Sequence, residues 1–285
     1  MTGKAGRLWL VATPIGNRGD LSPRAIEVLE TCDLIAAEDT RYSGRFLASF
    51  GIRKPMISYF EGNERERAEP LIERCLAGET IALVTSAGHP AISDPGYRIV
   101  DAAHRAGIDV RVVPGPCAAV SALAVSGLPS DEFVFLGFIP RDGAKRDDIW
   151  RRMKNGGTFV LYESANRLAR TLADLRDRLA DPVACVAREL TKLHEEVRRA
   201  RASELAIEFA ARDVPGEVVI VVRVETPPRE RLGDDDLTQK VRELRERTRM
   251  SDRDLADAIA ILLGIPRKHA YRLVTDTRAD GGSES

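Results

Sequence analysis

The chain of 285 residues predicts an α/β fold with a mainly parallel N-terminal sheet, a second α/β domain and a small helical C-terminal appendage. Three observations carry this. Short β-branched runs alternate with helix-period segments, which is the pattern of a parallel sheet covered by helices. Gly/Pro-rich loops directly follow several of those runs. After Gly127-Leu128-Pro129-Ser130 the alternation restarts, and beyond a Pro-rich charged stretch only helical periodicity remains.

Residues 8–12 form an apolar stretch too short for a signal-peptide core and predict the first strand. Residues 34–37, 81–85 and 110–113 predict further strands, with helices over 23–31 and 97–106. The second unit predicts strands at 133–137, 158–162, 183–187 and 218–224, and helices at 147–154, 167–179 and 203–211. The expected domains are therefore 1–120 and 121–226. Residues 227–236 read as a linker without periodicity, 237–279 as a small helical domain and 280–285 as a disordered tail. Within the helical piece, helices are expected at 237–247, 252–263 and 268–277, with Ser251 as an N-cap and Gly264 as a stop. Its Gly264-Ile265-Pro266-Arg267 turn looks like a helix-turn-helix, and ten Lys/Arg against six Asp/Glu make it locally basic. RNA contact and a plain packing or dimer role both fit.

Composition excludes several classes. A 44% apolar share with no run near the ~18 residues needed to span a bilayer argues against a membrane protein. The four cysteines, Cys32, Cys75, Cys117 and Cys185, and the four histidines are scattered, so no metal site is expected and a reducing cytoplasm fits best. The net charge of −1 gives no global attraction to nucleic acid, so any RNA-binding surface must be local.

The loops carry the chemistry. Parallel sheets bind ligands outside the carboxyl ends of their strands, where loops 12–20, 85–96 and 113–118 all fall. Their glycines allow close backbone approach, and small residues at the third loop let a flat, adenosine-sized ligand lie against the chain. The first loop lacks the strict G-x-G-x-x-G fingerprint, which demotes nicotinamide chemistry. Asp94 in the second loop reads either as part of a site or as a cap for the next helix. Glu38 and Asp39, ending the second strand, suit proton abstraction, or else Asp39 and Arg41 merely fix the loop. Tyr162 and Trp150 fit base stacking or core packing equally, and residues 140–146 with Arg151, Arg152 and Lys154 form a candidate RNA-contacting strip.

Taken in order, Ala12-Thr13-Pro14-Ile15-Gly16-Asn17, Ala36-Ala37-Glu38-Asp39-Thr40-Arg41, Ile92-Ser93-Asp94-Pro95-Gly96-Tyr97, Val113-Pro114-Gly115-Pro116, Gly127-Leu128-Pro129-Ser130, Tyr162-Glu163-Ser164 and Arg188-Glu189-Leu190-Thr191-Lys192 resemble the ribosomal RNA small-subunit methyltransferase I family of the tetrapyrrole methylase superfamily. The resemblance implies a two-domain class III methyltransferase fold with a mixed second sheet, S-adenosylmethionine as cofactor, a homodimer, and 2′-O-methylation of a decoding-centre cytidine in 16S rRNA or the small ribosomal subunit. It implies cofactor contacts from Pro14, Ile15 and Gly16; from Ala87, Gly88, His89 and Ile92; from Cys117 and Ala118; from Tyr162 and Glu163; and from Leu190. Glu38 or Asp39 would handle the proton, with Arg41 and Lys192 holding phosphate or developing charge. The family's usual Ser-Asp-Ala-Gly-Thr-Pro stands here as Thr85-Ser86-Ala87-Gly88-His89-Pro90, so an acid is lost and a histidine gained. A tetrapyrrole C-methyltransferase and a non-catalytic ribosome-assembly factor are the alternatives.

Overall fold

A computed structural model describes residues 5–212, 215–226, 234–248, 250–263 and 265–279. They divide into two compact units, residues 1–227 and 228–285.

In the first unit, β1 (Arg7–Val11), β2 (Leu34–Ala37), β3 (Met56–Ser58), β4 (Ile81–Val84) and β5 (Asp109–Val113) form one sheet in the order β3-β2-β4-β1-β5. Every pair in it is parallel. Side chains alternate between its faces with the strand period of two. Leu8, Leu10, Ile81 and Leu83 pack under α3 (Glu64–Leu76) and α4 (Tyr97–Arg105). Val11, Ile35, Ala82 and Val84 pack on the other face, with α1 (Pro23–Thr31) and α2 (Thr40–Ala48). Both faces are covered, which is why β2 and β4 are apolar throughout and buried at every position.

β6 (Phe133–Phe138), β7 (Gly157–Ser164), β8 (Val183–Arg188), β9 (Glu196–Arg201) and β10 (Glu217–Val224) form a second sheet in the order β6-β7-β10-β8-β9. It is mixed: β6 runs parallel to β7, and the other pairs are antiparallel. α6 (Gly143–Met153), α7 (Leu168–Arg178) and α8 (Ala202–Ala210) bury one face of it. The other face receives α5 (Ala118–Ser126), whose Ala119, Ala122 and Leu123 meet Val160, Cys185 and Val219. Small side chains let that helix lie close to the sheet, and Gly127 ends it at φ +62°, the left-handed stop that glycine favours. α5 straddles residue 120, where the sequence suggested a boundary.

Four elements escaped the sequence pattern. β3 is only three residues long, and α2 has no apolar run. α3 carries a proline at position 70 in its interior, a strong local stop signal. β9, Glu-Val-Arg-Arg-Ala-Arg, is an edge strand, where charge blunts pairing with other chains and erases the usual hydrophobic signature. Burial overturns the RNA contact expected of Arg146 and decides for core packing at Trp150, where stacking and packing were both open. Trp150 is 2% exposed in the core under α6, so it cannot stack on a base, and Arg146 is 5% exposed, paired with Asp174 and donating to the Pro140 carbonyl at 2.8 Å.

The second unit holds α9 (Asp234–Arg247), α10 (Asp252–Leu263) and α11 (Arg267–Ala279) around Val241, Leu255, Ile259, Leu273 and Val274. α9 begins inside the stretch expected to be linker, where acids without apolar periodicity concealed it. Ser251 caps α10, its hydroxyl accepting from the Asp254 amide at 3.2 Å. Gly264, the rest of the expected linker and the tail lie outside the described residues. No described helix is long and apolar enough to cross a membrane.

Candidate active site

Because the first sheet is parallel, the loops after β1, β2, β4 and β5 leave from one edge. The loop after β1 is fastened to the loop after β4 by a two-bond bridge, Thr13 N–H to Gly88 O at 2.8 Å and Gly88 N–H to Thr13 O at 3.0 Å. The Thr13 hydroxyl donates to the Thr85 carbonyl at 3.1 Å. Gly88 sits at φ +82°, a conformation costly for other residues, and so keeps this crossing free of side chain. Strain gathers on the loops beside it: Ala91 and Ser93 after β4, and Glu189 and Thr191 after β8, all have positive φ. Such positions cost about 1–3 kcal/mol each and concentrate where a loop must present particular atoms.

Between these loops and the second sheet lies a cleft of about 430 Å³, within the range of ordinary cofactor sites. Ala87, Gly88, Cys117, Ala118, Ala187 and Gly216 keep its walls low, while Ile15, Ile92, Phe138 and Leu190 supply apolar surface. Tyr162 closes one side, its hydroxyl accepting from the Ala119 amide at 3.2 Å and its ring packed edge-on to Phe135 and Phe138. Burial pushes its phenol up to about 12, so it stays neutral in the working range.

Among the described residues, Glu38 and Asp94 line the cleft without a cationic partner. Glu38 accepts the Ser86 amide at 3.1 Å. Asp94 forms no hydrogen bond or ion pair among the described residues. Burial first, and the nearby Glu38 charge second, push its carboxyl up to about 7. A carboxylate poised at neutrality inside a cleft is suited to taking up a proton. The sequence placed Asp94 in the loop but left a capping role open. Gly96, not Asp94, occupies the N-cap of α4, and no side chain caps it.

The family model for tetrapyrrole (corrin/porphyrin) methylases matches residues 7–206. A ribosomal RNA small subunit methyltransferase I of Synechocystis is 41% identical over 97% of this chain and 100% of its own length. The chain belongs to the ribosomal RNA small subunit methyltransferase I family of tetrapyrrole methylases. Another relative of that name, from Xylella fastidiosa, is 46% identical over 76% of this chain and 81% of its own. The fold recurs in the uroporphyrin-III C-methyltransferase of Thermus thermophilus solved with S-adenyl homocysteine. That structure has a TM-score of 0.52 and 22% identity, covering 76% of this chain and 97% of the other.

Within this family member the expected cofactor contacts divide. Ile15, Ala87, Gly88, His89, Ile92, Cys117, Ala118, Tyr162, Glu163 and Leu190 all line the cleft. Pro14 and Gly16, flanking Ile15, face a separate hollow instead. The Glu163 side chain is turned away: on β7 it shares the face of Phe159 and Leu161, opposite Tyr162, and is 2% exposed. Its carboxylate receives Arg167 twice at 3.0 Å, the Thr171 hydroxyl at 2.7 Å and the Ser164 amide at 2.8 Å. Only its backbone is left to meet a ligand.

The four expected catalytic residues divide as well. Glu38 is in the cleft; Asp39, Arg41 and Lys192 are not among its walls. Asp39 is the N-cap of α2, one oxygen accepting the amides of Arg41 at 2.8 Å and Tyr42 at 2.9 Å, and those bonds hold its carboxyl below the usual range. Lys192 bridges Glu189 and Glu217, both at 3.0 Å. Burial works against its charge, but those two bonds outweigh it and raise its pKa. Its stem lies against Gly16, where an added Cβ would come within 2.4 Å of it, and the Thr191 hydroxyl accepts the Asn17 amide at 3.1 Å. Lys192 therefore braces the β1 loop. Among the described residues no group of three or more His, Cys, Asp or Glu gathers as a metal site.

Proposed function

We propose that this chain transfers a methyl group from S-adenosylmethionine to the ribose 2′-hydroxyl of a decoding-centre cytidine in 16S rRNA, acting in the cytoplasm as a homodimer. The observation that carries the chemistry is the Glu38 and Asp94 pair, without a cationic partner among the described residues, in a cleft with many small and apolar walls. The relatives' shared name supports small-subunit rRNA as substrate. The cofactor fits the cleft's size and low walls, and the S-adenyl homocysteine bound to the Thermus relative supports that choice.

When bound, S-adenosylmethionine would supply an electrophilic methyl for the ribose oxygen, with sulfur as the leaving group that keeps the electron pair of the broken carbon–sulfur bond. The residues have two tasks. Ile15, Ile92, Leu190 and the Tyr162 ring exclude water and fix the donor's direction, since in-line displacement depends on alignment. Asp94 takes the hydroxyl proton, and Glu38, through its hold on the Ser86 amide, sets the loop that presents Asp94 and raises its basicity. Asp39 is committed to α2 and drops out of the proton-handling role.

The test is to incubate the protein with methyl-labelled S-adenosylmethionine and small subunits lacking the modification, then map the labelled nucleotide. Label on one cytidine ribose is the expected result. Transfer to a tetrapyrrole but not to RNA would replace the substrate, and transfer to neither would overturn the reading.

A further inference from the structure

Beside the cleft lies a second hollow of about 410 Å³, walled by Thr13, Pro14, Gly16 and Arg18 of the β1 loop and by one face of α2. Tyr42, Arg45, Phe46 and Ser49 recur at the i, i+3, i+4, i+7 spacing of that face. Ser86 lines both cavities, and its amide is the group Glu38 holds. The hollow and the cleft thus meet at Ser86, beside Glu38, with Ile15 turned to one side and its neighbours Pro14 and Gly16 to the other.

The hollow carries two guanidiniums that no carboxylate pairs among the described residues. Arg74, Arg98, Arg105 and Arg111 of the same unit each have a carboxylate partner, while Arg24, Arg41, Arg53, Arg65 and Arg67 form no ion pair among the described residues. Arg18 and Arg45 have none among the described residues. Arg18 is held over the Phe50 ring at 4.9 Å and donates to the Ser49 carbonyl at 3.2 Å, which aims a guanidinium without neutralising it. Asp39 lies near Arg45 but is bonded to the helix amides. Tyr42 leaves 45% of its surface exposed at the rim. Two unneutralised guanidiniums and an open aromatic ring are the groups that recognise a phosphate and a base.

We propose that this hollow is the subsite for the RNA nucleotide being methylated, with Arg18 and Arg45 holding its flanking phosphates and Tyr42 stacking on a base. The inference rests on the methyltransferase reading above and adds where the acceptor sits. The hydroxyl enters from this side, the methyl is presented from the cleft, and they meet at Ser86, Glu38 and Asp94. On a chain of net charge −1, it also supplies the local basic surface that RNA binding needs.

The test compares Arg45→Gln, Tyr42→Ala and Tyr42→Phe with wild type, each checked for an unchanged melting temperature. Binding of S-adenosylmethionine is measured by calorimetry and binding of unmodified small subunits by filter retention between 50 and 200 mM salt. Arg45→Gln is expected to weaken subunit binding about tenfold and flatten its log–log salt slope by ~0.7–0.9, the signature of one lost phosphate contact. Tyr42→Ala is expected to weaken it ~5- to 100-fold with Tyr42→Phe restoring it, as stacking requires. Cofactor affinity should stay within about twofold, because these side chains do not line the cleft. Loss of cofactor binding with RNA binding intact overturns the proposal, as does no change in either. If wild type transfers no methyl to rRNA while the variants still lose subunit binding, the hollow stands as an RNA-binding site and the reaction assigned above falls, taking with it the hollow's role as acceptor subsite. If wild type methylates and the variants keep its KM for subunits, the subsite alone falls.

Discussion

Glu163 and Asp94 are carboxylates of neighbouring loops and strands around one cleft, and they differ in what surrounds them. Glu163 is buried behind the wall with four donated hydrogen bonds, two from Ser164, one from Thr171 and one from Arg167, whose guanidinium also forms an ion pair with it. Asp94 is half-buried at the wall, has no donor among the described residues, and faces Glu38. A partnered acid fixes architecture, because its charge is satisfied whatever occupies the cleft. An unpartnered one keeps its affinity for a proton, which is the property transfer to an oxygen demands. The difference explains why two acids around one cleft should respond oppositely to substitution.

The largest expected effect is on rate. Asp94→Asn should lower kcat by ~10²–10⁴, the usual contribution of a general base, without lowering the melting temperature at pH 8. Retention of wild-type kcat would remove Asp94 from the reaction and end the contrast. Glu163→Ala should do the reverse. It strands Arg167, and because that arginine is partly exposed the cost should be about 3 kcal/mol, the low end for breaking a buried pair. Urea unfolding checks this, and the activity of the folded fraction should stay within a few-fold. A collapse in kcat with stability intact would place the Glu163 side chain in the chemistry.

The same contrast has a pH signature. The Asp94 carboxyl sits near 7 against its ordinary 3.8, so in that window the folded chain holds more proton than the unfolded one. Its contribution to stability is full below the unfolded value and is lost as pH rises through about 7. Activity should run the other way, with kcat rising around a midpoint near 7 as the acid ionises. In Asp94→Asn both dependences should flatten. An unchanged kcat profile in that variant would assign the midpoint to another group.

Much of this arrangement was legible in the sequence. Strand ends, loop positions and the alternation of helices follow from apolar periodicity and from Gly/Pro punctuation, and these put the loops that wall the cleft at the carboxyl ends of β1, β4 and β5. What was not legible depends on orientation. Pro14, Ile15 and Gly16 are consecutive, yet Ile15 faces one cavity and its neighbours another. Glu163 follows Tyr162 on a strand, so the period of two sends its side chain to the far face. Trp150 and Arg146 look like RNA contacts in a basic stretch, and only helix packing shows both turned inward. Asp94 carries no signal in its spacing; its character comes from burial and from Glu38, which is 56 positions away in the chain.

The smallest expected effect separates the two adjacent acids after β2. Asp39→Ala removes an N-cap and should cost about 1 kcal/mol of stability, recovered in large part by Asp39→Ser, with kcat changed only a few-fold. Glu38→Gln keeps an acceptor for the Ser86 amide, so the loop stays in place, but it removes the charge that raises Asp94. The Asp94 midpoint should then shift to lower pH, and the kcat profile should move with it. If Asp39→Ala moved that midpoint and Glu38→Gln did not, Asp39 would be the acid coupled to the reaction, and the assignment of Glu38 to the cleft pair would be wrong.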